Sequence, residues 1–110
     1  VRIDGHEAQL QSLVDNLVDN ALRHTPSGGR VHVELVPRRH GASLRVSDSG
    51  PGIPAAERAR VFDRFYRVPG TTAAGSGLGL AIVRRVCELH GARIDLDDAP
   101  GGGTVFVVAF

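Results

Sequence analysis

Lysine is absent from this chain of 110 residues: all thirteen basic side chains are arginine. That excludes the lysine-bearing phosphate loop and the lysine-dependent protein kinase pattern, so any phosphate chemistry must use backbone, arginine or metal. Cysteine occurs once. Cys87 cannot form an internal disulfide, and its place among Val83, Val86 and Leu89 reads as core packing. Charge of one sign is also lacking: thirteen basic against twelve acidic residues give a formal +1, too weak a field to recruit nucleic acid or an anionic membrane. No apolar run approaches the roughly 18 residues of a membrane span, and no basic-then-apolar leader opens the sequence, so the piece reads as soluble.

What is present in excess is glycine. Fourteen glycines cluster at 50 to 52, 70 to 79 and 101 to 103, about twice the roughly 7 per cent average, which points to loops shaped for a ligand. The length fits one domain over 1–110, able to bury roughly 60 to 70 per cent of its unfolded surface. Asp4 and Glu7 resemble a capping pair ahead of Leu10, Leu13, Val14, Leu17 and Ala21, whose spacing predicts a helix over about 5 to 24. Val31, Val33 and Leu35, then Leu44 and Val46, alternate as a hairpin. A short helix is expected over Glu57 to Phe65, with Phe62 and Phe65 on one face anchoring the loop base in the core. Val68 to Ser76 reads as a mobile small-residue loop. Leu78, Ile82, Val83, Val86 and Leu89 mark a second long helix ended by Gly91, and Ile94, Leu96, Val105 and Val107 a second hairpin. Helix, hairpin, helix, hairpin describes a sheet with helices on one face.

Three segments carry candidate chemistry. Asn16 and Asn20, four apart, project from one helix face, and two amide oxygens with phosphates and waters suit magnesium; two solvated amides are the plainer reading. Asp48 ends a strand and leads into Ser49-Gly50-Pro51-Gly52, where glycines admit a ligand close to the backbone. The exocyclic amine of adenine would satisfy that carboxylate and select against guanine; a turn-forming aspartate is the alternative. Gly75-Ser76-Gly77-Leu78-Gly79-Leu80 opens the second helix, where unpaired N–H groups and the positive helix end make a phosphate seat; a flexible linker is the alternative. A dinucleotide fold is disfavoured, because its third glycine would fall one residue later and a strand would come just before. Arg67 could pair with a phosphate; a plain surface arginine is the alternative. His6, His32, His40 and His90 lack metal-like clustering.

Together these segments resemble the catalytic domain of histidine kinases, in the superfamily of type II topoisomerase, heat-shock chaperone and mismatch-repair ATPases. Asn16-Leu17-Val18-Asp19-Asn20-Ala21-Leu22-Arg23-His24 is similar to its asparagine box. Asp48 to Gly52 is similar to the first glycine box, Phe62 to Phe65 to the phenylalanine box, and Gly75 to Leu80 to the second glycine box. The resemblance implies an α/β (α+β) two-layer sandwich of the Bergerat type, a mixed sheet with helices on one face. By it, Asn20 with Asn16 holds Mg2+ against the phosphates of ATP, Asp48 binds the adenine amine, and the amides of Gly77, Leu78 and Gly79 receive phosphate. Ile53 lines the base pocket, Thr104 supports the adenine end, and Arg23 and His24 lie beside the nucleotide.

The hydrolysing members of that superfamily carry Glu where this chain has Asn16, and an amide cannot take the proton of water. That favours phosphoryl transfer to a histidine, with Asp19 as a possible assisting base. The lid from Val68 to Ala74 departs from the family in having no basic residue, which leaves Arg67 as its candidate. His6-Glu7 lacks the Arg-Thr-Pro that follows a phosphoacceptor histidine. The expected partners are a dimerising phosphoacceptor helical domain of the parent kinase and, indirectly, a response regulator. No nucleic-acid partner is expected. The fragment is expected to be monomeric and cytoplasmic, the parent a homodimer in the bacterial inner membrane. The rivals are an ATP hydrolase, a non-catalytic nucleotide-sensing module and a serine kinase of the anti-sigma type.

Overall fold

The computed structural model describes residues 5–66 and 78–110. Helix α1 spans Glu7–His24, and Leu13, Leu17 and Ala21, each four apart, form its buried stripe. Asp4, the expected cap, lies outside the described residues. The cap is His6, whose Nδ1 accepts the Gln9 N–H at 3.3 Å. The His6 N–H in turn donates to Nε2 of His90 at 3.0 Å. That bond ties the start of α1 to the far end of α2, which spans Gly79–Leu89. Gly91, at φ +63°, ends α2 as expected, with Ala92 N–H donating to the Cys87 carbonyl and Gly91 N–H to that of Glu88.

Strands β1 (Val31–Arg38), β2 (Gly41–Asp48), β3 (Arg93–Asp98) and β4 (Thr104–Ala109) form one sheet in the order β1-β2-β4-β3. Every ladder among the described residues is antiparallel. The register sets the core. Val33, Val46, Phe106 and Leu96 make one cross-strand row and Leu35, Leu44, Val108 and Ile94 the next. The middle members of both rows meet Leu13, Leu17, Val83, Val86 and Cys87 from the helices. Helices therefore cover this one face of the sheet, as expected. Burial pushes the Cys87 thiol up to about 11, with Glu88 adding to the shift, which keeps it a packing residue. The helical layer stops short of the β1 edge, where Val33 and Leu35 stay about half exposed.

The segment expected as a helix over Glu57 to Phe65 is different. A single 3₁₀ turn, Ala55–Glu57, is followed by turns closed by Arg60 to Glu57 and Asp63 to Arg60 bonds. Without helical spacing, residues three apart no longer share a face. Phe62 packs edge-on against Phe106 at 6.1 Å between ring centres, whereas Phe65 is 70 per cent exposed with φ +63° and does not anchor the core. The short segment carries too few apolar positions to hold a helix against the sheet. The loop expected over Val68 to Ser76, with the lid from Val68 to Ala74, lies outside the described residues.

Candidate nucleotide site

The fold brings three of the predicted segments together through contacts at glycines. The Gly50 backbone lies against the His24 carbonyl at the end of α1, so close that a Cβ there would strike it. Gly79, first residue of α2, faces the Asn16 side chain: a Cβ at this position would sit 3.0 Å from Asn16 Oδ1. Gly103, in the turn before β4, presses on the Asp48 carbonyl. Asparagine helix, strand-end carboxylate and second helix start are therefore neighbours. Spacing alone did not show that.

Asp48 is only 6 per cent exposed. It stands on the helix-facing side of β2, two residues after buried Val46. One carboxylate oxygen accepts the Gly50 N–H at 2.9 Å. No protein hydrogen bond to the other is present among the described residues. A buried carboxylate with an open acceptor is the chemistry that an amine-bearing base satisfies. Thr104 is buried on the same side at the start of β4, and Ile53 is half-buried against the core. Gly52 completes the loop, at φ +80° and near the Gly103 carbonyl.

On α1, Asn16 and Asn20 are half-buried. Asn16 Nδ2 donates back to the Ser12 carbonyl at 2.8 Å and to Ser12 Oγ at 3.2 Å, which leaves its oxygen on the Gly79 side. The Asn20 side chain makes no protein hydrogen bond among the described residues. Two amide oxygens in this setting fit a hard, partly hydrated divalent cation, whereas no cluster of three or more His, Cys, Asp or Glu side chains occurs among the described residues. His24 Nδ1 is 2.8 Å from the Asn20 carbonyl, which orients the ring beside the Gly50 loop. Asp19 and Arg23, both exposed, form an ion pair of 2.7 Å along α1.

At α2 the first intrahelical bond runs from Ile82 N–H to the Leu78 carbonyl at 3.0 Å. The N–H groups of Gly79, Leu80 and Ala81 therefore have no intrahelical acceptor. Arg67, Gly75 and Gly77 lie outside the described residues. Sequence reasoning missed Ser12 and the pressing contact of Gly103. A serine four residues before Asn16, on the same helix face, was the available signal for the first. An apolar groove of about 570 Å³ runs between α1 and α2, lined by Ala8, Ser12, Leu78, Ile82, Val86 and Leu89 among others.

Residues 5–110 match the histidine kinase-, DNA gyrase B- and HSP90-like ATPase family. The chain belongs to that family. Its relatives place the ATPase domain in the histidine kinase branch. It is 45% identical over 111 residues to the sensor protein kinase PmrB of Pseudomonas aeruginosa, covering 100% of this chain and 23% of that protein. It is 50% identical over 113 residues to the histidine-protein kinase/phosphatase MprB of Mycobacterium sp., covering 97% of this chain and 22% of that one. The ATPase domain thus spans less than a quarter of these curated relatives. The solved mycobacterial sensor histidine kinase MprB superposes with a TM-score of 0.88 at 42% identity, over 96% of this chain and 74% of that one. A nucleotide-free catalytic domain of the histidine kinase ThkA gives 0.84 at 27%, over 97% and 69%. The sandwich and the histidine-kinase-type ATPase class expected from the sequence both hold.

Proposed function

We propose that this domain binds Mg-ATP and donates the terminal phosphoryl group to a histidine on a separate dimerising helical domain of its parent. The observation that carries the reading is Asn16, whose amide oxygen faces the first turn of α2 where a hydrolase needs a carboxylate base. An amide orients and neutralises but does not take a proton from water. Asp19, the nearby carboxylate on α1, pairs with Arg23 at 2.7 Å and is left as an assisting base. With an amide where the hydrolases carry their base, the domain depends on a nucleophile brought by a partner, and its own work is positioning and charge stabilisation.

In this reading Asp48 accepts the adenine amine while Gly50 N–H holds its other oxygen. Ile53 and Thr104 border the base, His24 and Arg23 flank the nucleotide, and the amides at Gly77, Leu78 and Gly79 with Leu80 receive phosphate, with Gly75 and Arg67 at the lid. Asn16 and Asn20 would hold magnesium, which supplies neutralisation of the phosphate oxygens. The parent is a homodimeric bacterial membrane sensor that passes the phosphoryl group on to a response regulator, with this domain on its cytoplasmic side. No helix among the described residues is long and apolar enough to cross a membrane.

The experiment is phosphotransfer from γ-labelled ATP. The chain alone is expected to release no phosphate in steady state and to label no residue of its own. Mixed with the parent's phosphoacceptor domain, it is expected to label a histidine, as an acid-labile, base-stable product. Steady phosphate release by the chain alone would favour the hydrolase. Binding without transfer would favour a sensing module, and an acid-stable label a serine kinase.

A further inference from the structure

Resting on the magnesium-and-nucleotide reading above, we propose that Ser12 is a positioning residue that holds Asn16 with its amide oxygen turned toward the start of α2. An asparagine side chain offers an oxygen on one side and an NH2 on the other, and the two sides are nearly equal in shape. Only the oxygen side can meet a cation or accept a hydrogen bond. Which side faces α2 is therefore a chemical choice that the surroundings must make.

Ser12 makes it. Its carbonyl, 2.8 Å from the Asn16 side-chain nitrogen, is solely an acceptor, so a reversed amide would set oxygen against oxygen. That carbonyl is also within reach of Asn16's own backbone N–H by ordinary helix geometry, which leaves it a shared acceptor. The Ser12 hydroxyl, at 3.2 Å, supplies the second, unshared one. Both N–H bonds of the amide are thus directed back along α1. The freed oxygen then lies toward Gly79, where the absence of a side chain leaves it room. Ser12 touches neither base nor phosphate in this arrangement: it acts through Asn16.

Two readouts test the assignment on the 110-residue chain. In nucleotide-free protein, the Asn16 side-chain amide pair, identified by its loss in Asn16→Ala, is expected to shift and to exchange faster with solvent in Ser12→Ala. In calorimetric titrations with a non-hydrolysable ATP analogue, Ser12→Ala is expected to lose about twofold to tenfold of the affinity gained on adding magnesium, the worth of one hydrogen bond. Its magnesium-free affinity should stay unchanged. Ser12→Thr, which keeps the hydroxyl, should restore both. An unmoved Asn16 amide signal overturns the proposal, as does a moved one with the magnesium gain intact. If the unaltered chain gains nothing from magnesium, the metal reading fails by itself, and the amide signals still decide whether Ser12 orients Asn16.

Discussion

Asp48→Ala is expected to weaken adenine nucleotide binding by about tenfold to a hundredfold, the loss of one hydrogen bond to a charged acceptor, roughly 1.5 to 3 kcal/mol. The size follows from burial. Asp48 is one of three buried polar or charged residues among the described ones. Gly50 N–H holds one oxygen, so the carboxylate is already oriented and the lost bond is not offset by regained side-chain freedom. The affinity for a guanine nucleotide, weak from the start, should change little. Titration of both nucleotides against both proteins checks this. Equal losses for adenine and guanine would place Asp48 outside the base contact.

Gly103→Ala is expected to cost stability as well as binding. At φ +95° the residue sits where a side chain is strained by about 1 to 3 kcal/mol, and a Cβ there would run into the Asp48 carbonyl and crowd Ser49. The two effects together amount to roughly 2 to 4 kcal/mol. On a domain of this size that lowers the melting temperature by about 10 to 20 °C. Gly101→Ala is the matched control, since Gly101 has φ +83° but nothing within 4 Å of its Cβ position. It should show the strain alone. Thermal melts that fall equally for both variants would mean that the contact with Asp48 is not what the glycine serves. A further loss of nucleotide affinity in Gly103→Ala alone would follow from displacement of Asp48.

Where the chain has strong period, its sequence was informative. The stripes of Leu13, Leu17 and Ala21 and of Val83 and Val86 gave the two helices, and the alternation of Val33 with Leu35, Leu44 with Val46 and Ile94 with Leu96 gave the strands, because burial on one face leaves period 3.6 or 2 in the residues themselves. In β4 the expected pair, Val105 and Val107, lies on the other face, and Phe106 and Val108 enter the core, because this strand is apolar on both faces. Asp48 and the asparagine pair each have an ordinary reading when taken alone, a turn aspartate and two solvated amides, and only their place together in the order of the four segments made them candidates. Over Glu57 to Phe65 the same logic misled. Val61, Phe62 and Phe65 mimic a helical face over less than three turns, and only tertiary contact with Phe106 decided which ring went inward. The cap at His6 was hidden because its partners, Gln9 and His90, lie three residues away and at the far end of α2. Gly103 was missed because what it does depends on what packs against it, whereas Ser12, four residues before Asn16 on the same helix, was there to be read.

The most direct test of the account is calorimetric titration of this chain with a non-hydrolysable ATP analogue and its GTP counterpart, each with and without magnesium. The account predicts binding of the adenine nucleotide, strengthened by magnesium, and little or none of the guanine nucleotide. Equal binding of the two, or no binding of either, would contradict it.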